Sequence, residues 1–136
     1  MATDTVLSLS KNRNVTRQIL DQIVTLRAFI DTTVTPLAAA DVYPLFDYDA
    51  NTYIKEANII VDTVEDAADT LDLLDAVGGS ALINDRNMSS VGAGTKYSTG
   101  IIMTSAGKIT LGDISAAITA CKFWVVVEMV KLKETD

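Results

Sequence analysis

Along this 136-residue chain apolar residues recur mainly at every second position, the period of a strand with one buried and one wet face. From Ile23 the alternation sets Val24, Leu26, Ala28 and Ile30 against Thr25, Arg27, Asp31 and Thr33. Thr35-Pro36 closes that strand, because proline has no amide hydrogen for the ladder and restricts the residue before it. A second strand is predicted over 42–48, where Pro44 places it at a sheet edge or near a strand start. A third runs over 53–64, and its alternation breaks at Ile59-Ile60-Val61, which predicts a bulge or burial on both faces. The clearest element is the last. Cys121, Phe123, Val125, Val127 and Met129 form one apolar face, whereas Lys122, Trp124, Val126 and Glu128 form a mixed one, the pattern of a central strand.

The middle of the chain is less regular. Asp66, Asp69, Asp72 and Asp75 recur every three residues, which stacks like charges on a helix and opposes one, so a short strand with flanking loops is expected over 65–77. Gly78-Gly79 breaks the chain, and 84–99 reads as a long exposed loop of turn-forming residues. Gly100–Thr104 and Lys108–Leu111 flank Ser105-Ala-Gly107 and read as a hairpin. About seven short strands without alternating long helices predict a mainly β fold, an antiparallel β-sandwich or jelly-roll over 21–136. Residues 1–20 are polar and weakly patterned, an extended N-terminal arm with room for a short helix near 14–20.

Composition sharpens the picture. Valine, isoleucine and threonine make up 41 residues, and their branched side chains suit a pleated surface. Histidine is absent, which removes the commonest general base and the usual zinc ligand. The single cysteine, Cys121, excludes an intrachain disulfide. It sits on the apolar face of the last strand, where a thiol behaves as a small hydrophobe. The net charge of −7 disfavours nucleic acid and anionic lipid. That charge is uneven: residues 1–27 hold four basic against two acidic side chains, a net +2, and the remainder seven against sixteen, a net −9. A basic arm precedes an acidic body. Met-Ala-Thr-Asp-Thr-Val does not resemble an export signal, and no apolar run approaches the length of a membrane span.

Candidate chemistry is sparse. Asp47-Tyr-Asp49-Ala-Asn51 begins like a calcium loop, but Thr52 and Asn58 stand where that loop needs glycine and glutamate, so an ordinary polar turn is expected. The series Asp62, Glu65, Asp66, Asp69, Asp72, Asp75 has nothing to complete a catalytic or metal site and reads as a solvated or partner-docking acidic face. Gly92-Ala-Gly94-Thr-Lys96 lacks the spacing and the strand-loop-helix setting of a phosphate loop. No catalytic residue, metal or cofactor is assigned. Association remains: Lys11, Arg13 and Arg17 are the candidate arm contacts, and Phe29 with Trp124, which projects opposite the core row, are the interface candidates.

The run Leu37-Ala-Ala-Ala-Asp41-Val-Tyr-Pro-Leu-Phe46-Asp-Tyr-Asp-Ala-Asn-Thr-Tyr53-Ile, the strand ending Ile59-Ile-Val-Asp-Thr63, and the terminal Ala120-Cys-Lys-Phe-Trp-Val-Val-Val-Glu-Met-Val-Lys131 together resemble small tailed-phage virion proteins of the capsid decoration (cement) and head-fibre kind. The resemblance spans 35–64 and 100–132. It implies a β-sandwich on the capsid surface that bridges capsomers, with the major capsid protein and copies of itself, as a homotrimer, for partners. The competing readings are a fibre or tail module that binds a host receptor or glycan through the 84–99 loop, and an enzyme using the acidic cluster with a metal.

Overall fold

The computed structural model describes residues 23–76, 79–93 and 97–132. Lys11, Arg13 and Arg17, and the arm over 1–20 with its short helix, lie outside the described residues. Among the described residues there are nine strands: β1 Ile23–Asp31, β2 Tyr43–Tyr48, β3 Thr52–Thr63, β4 Thr70–Leu74, β5 Ala81–Asn87, β6 Gly92–Ala93, β7 Tyr97–Met103, β8 Gly107–Gly112 and β9 Lys122–Lys131. They form two antiparallel sheets. One has the order β1-β9-β3, with β6 and β7 both along the far side of β3; the other has the order β2-β8-β4-β5. The fold is the predicted mainly β sandwich.

The strongest alternations became the centre of the larger sheet. β9 lies between β1 and β3, as its pattern requires. Cys121, Phe123, Val125 and Val127 are wholly buried, and they meet Ile54, Ile59 and Val61 of β3 and Leu71, Leu73, Ile109 and Leu111 of the smaller sheet. The break at Ile59-Ile60-Val61 is explained by burial: Ile59 and Val61 enter the core while Ile60 stays half-buried on the outer face. The register shifts of β3 flank that point, between Ile54 and Glu56 and between Val61 and Thr63. Pro44 does stand at an edge, in β2, beside a bulge that ends at Phe46.

Three expectations fail. The predicted hairpin over 100–111 is a crossing between sheets: β7 pairs with β3, whereas β8 pairs with β2 and β4. Ile109, Thr110 and Leu111 are buried without alternation, which marks β8 as an interior strand of the smaller sheet and not the wet-faced partner of β7. Gly107 starts β8 under the Tyr48 ring, where an added Cβ would fall 2.5 Å from the phenolic oxygen. The supposed loop over 84–99 is largely strand, since β5 runs to Asn87 and β6 and β7 follow; Arg86 and Met88 within it are buried. The acidic series is not one solvated face, because Glu65 and Asp72 are buried.

Candidate interaction surface

Of the sequence candidates, Phe29 and Trp124 meet on the outer face of the larger sheet. Register places Phe29 of β1 directly opposite Trp124 of β9, and Trp124 opposite Ile60 of β3. The two rings pack with centroids 5.0 Å apart at 52°, a tilted geometry favoured by aromatic quadrupoles. They nevertheless remain 47% and 41% exposed. Contact between them holds each in place without covering either, so the pair forms a preorganised apolar ridge.

The next ranks along the sheet turn polar. Val126 lies between Arg27 and Asn58, and Glu128 between Thr25 and Glu56. Lys55 Nζ stands 3.6 Å from a Glu128 carboxylate oxygen. Glu56, Asn58, Ile60, Val126 and Glu128 border a shallow depression of about 210 Å³. The Asn58 side-chain oxygen is shielded from solvent and has no hydrogen-bond partner among the described residues. An apolar ridge beside a polar depression matches the anatomy of a protein interface, an aromatic centre next to a polar margin. Sequence reasoning named Phe29 and Trp124 as interface candidates and did not name Asn58, Ile60 or Val126 beside them. The signal for Ile60 was its place in the broken alternation.

The remaining polar candidates have structural duties. Glu65 accepts hydrogen bonds from the backbone amides of Thr119 and Ala120, at 3.2 and 2.8 Å, and so fastens the approach to β9. Thr32 Oγ1 donates to the Cys121 carbonyl and accepts from its amide, both at 2.8 Å. The Cys121 thiol is pushed up to about 11 by burial, with the Glu65 charge adding to the effect; at that value it is a protonated core group. Arg86 reaches four backbone carbonyls: Ile59 through Nε, Asn87 through Nη1, and Ser90 and Gly92 through Nη2. Its burial lowers the guanidinium pKa.

In the calcium-like turn, Asp47 pairs with Lys108 and Asp49 with Lys131, so both carboxylates face cations of the protein itself. Asn51 supplies the left-handed residue of that turn, at φ 61°. Among the described residues no group of three histidine, cysteine or acidic side chains is placed to hold a metal ion.

Asp72 is a buried carboxylate whose surroundings favour its protonated form. Burial raises its pKa, and the side-chain hydrogen bond to Asp113 and the charges of Asp113 and Asp85 add to the rise, against the lowering hydrogen bond from the Asp85 amide at 2.7 Å. A carboxyl group raised in the folded state takes up its proton more readily there than in the unfolded chain. Its protonation therefore favours folding as pH falls, and this contribution is lost as pH rises through the folded value. Asp72→Asn keeps an oxygen for the Asp85 amide and removes the charge. The variant should melt at a higher temperature than the parent at pH 7, with the gain shrinking toward pH 4; melting curves across that range check it.

No family profile matches the chain, and no curated protein matches it. Solved structures do. A chain of the capsid of Ralstonia phage GP4 superposes with a TM-score of 0.60 at 15% identity, covering 82% of this chain and 86% of that one. A chain of the cyanophage Pam1 capsid asymmetric unit gives 0.58 at 15% identity, over 82% and 85%. A chain of the acidic stable capsid of Helicobacter pylori bacteriophage KHP30 gives 0.55 at 12% identity, over 82% and 89%. At these identities the likeness establishes a shared fold.

Proposed function

We propose that this chain is a virion structural protein of a phage, located in the capsid, which decorates the shell and stabilises it by bridging subunits. The observation that carries the reading is the recurrence of this two-sheet fold in chains of three phage capsids. The outer face of the larger sheet fits the role, since the Phe29–Trp124 ridge is large, exposed and already ordered. The partners in this reading are the major capsid protein and further copies of the chain, assembled as a homotrimer. Several modest contacts made at once then supply the avidity. The basic arm with Lys11, Arg13 and Arg17 complements the acidic surface of a neighbour. The role is structural and not catalytic. The fibre reading has less support, because Asn84–Asn87 belong to β5 and Met88 is buried.

The test is rebinding to particles stripped of this protein. The full chain should coat them saturably. Deletion of residues 1–20 should abolish coating and leave the cooperative melting of the body intact. Full coating by the deletion variant would refute the part given to the arm, and failure of the intact chain to coat would refute the decoration reading.

A further inference from the structure

A strand at a sheet edge offers unpaired backbone groups, and proteins commonly blunt such edges with proline, bulges, interruptions or charge. Three of the four edges here are blunted. β2 carries Pro44 and a bulge. β5 carries Asn84 and Asp85, the latter in a left-handed conformation at φ 54°, and slips twice in register against β4. The far side of β3 is shared by the short β6 and by β7, which itself shifts register. β1 is different. It pairs with β9 through nine consecutive residues without a shift, it contains no proline or glycine, its charges are confined to Arg27 and Asp31, and no other described strand pairs with its outer edge.

The flank beneath that edge is apolar as well. Leu26 and Ile30 of β1 and Tyr43 and Leu45 of β2 are only half-buried against the core. A recess of about 290 Å³ opens among Ile30, Leu37, Tyr43, Leu45 and Leu111, with Asp31 and Thr35 at its rim, and one of about 150 Å³ has an apolar side of Val24, Leu26 and Met129 and a polar side of Asp47, Asp49, Thr52 and Lys131. An added strand with apolar side chains on its inward face would complete both the ladder and the core margin.

The chain itself carries a segment of that kind. Within the weakly patterned arm, Leu7-Ser8-Leu9-Ser10 of the Thr5–Ser10 segment alternates, with Leu7 and Leu9 on one side and Ser8 and Ser10, with Val6, on the other, and it belongs to the 22 residues that precede β1. Folding back onto its own β1 would need a hairpin loop over 11–22, far longer than the usual two to five residues. We infer that the open edge of β1 receives the Thr5–Ser10 segment of a second copy as an added strand, with Leu7 and Leu9 facing the apolar flank. The contact is head-to-tail, and its repetition closes a ring where the rotation between copies returns to the start. The inference rests on the proposal that the chain assembles with its own copies, and its test uses no capsid, so its failure leaves capsid docking to be judged separately.

Amide hydrogen exchange on the purified full chain reads the edge. Successive β1 amides point alternately toward β9 and toward the open edge. The edge-facing set should be protected in a species heavier than one chain. The double variant Leu7→Ser, Leu9→Ser lies outside the sandwich; it should speed exchange of that set by roughly tenfold or more, return the mass to a single chain, and leave the β9-facing set protected. Fast exchange of edge-facing amides in the unaltered chain would overturn the inference. So would protection that survives the double variant, or protection in a species of single-chain mass.

Discussion

Serine at Trp124 is expected to weaken particle binding by about 2 kcal/mol, roughly 30-fold, the cost of truncating a central aromatic anchor. Serine at Phe29 should cost less, because phenylalanine buries a smaller area. The double variant should lose less than the product of the two single effects, since the rings touch and each loses part of its fixed orientation when the other goes. Both side chains are almost half exposed, so thermal stability should fall by about 1 kcal/mol or less. Val34 is 76% exposed on the turn after β1, and Val34→Ser should bind as the parent does. Equilibrium binding to stripped particles, with melting curves as the folding control, checks all four variants. Undiminished binding by the double variant would remove this face from the interface.

Arg86→Ala should be the most damaging polar substitution, costing about 3 kcal/mol or more of folding stability in denaturant titration. One guanidinium serves Ile59 on β3, Asn87 at the end of β5, and Ser90 and Gly92 on the way to β6. Its removal leaves those carbonyls without their donor and opens a void beside the core. Arg86→Lys keeps the charge but replaces a planar five-donor fork by a single ammonium. It should recover only part of the loss, which separates geometry from charge.

The sequence exposed what one strand decides for itself. The alternation of β9 assigned Phe123 to the core and Trp124 to the outer face, and both stand there. The alternation from Ile23 and the proline of β2 were equally local and equally legible. Pairing partners were not legible, because Ser105-Ala-Gly107 can close a hairpin or carry the chain from one sheet to the other. That choice was made by the continuous burial of β8 between β2 and β4. The polar interior was hidden for a related reason. Glu65 and Arg86 are tolerated inside only because distant backbone supplies their partners, Thr119 and Ala120 for one, Ile59 for the other. On the candidate interface face, Phe29 and Trp124 showed themselves by residue type and Val126 by its place two residues from Trp124, whereas Asn58 became a neighbour of the ridge only through the register of β3 against β9.

The nine-pair ladder between β1 and β9 also fixes how the molecule bears mechanical load. Ile23 lies opposite Val130, so the segments before β1 and after β9 leave from the same end of the sheet. Tension between those two segments would peel the ladder one pair at a time. Tension between the segment before β1 and an anchorage on the Trp124 face would pull β1 along its own axis, and all nine pairs would have to shear together. If the arm and the Trp124 face hold different subunits, as proposed above, a swelling shell would load the sheet in the direction in which it is hardest to tear.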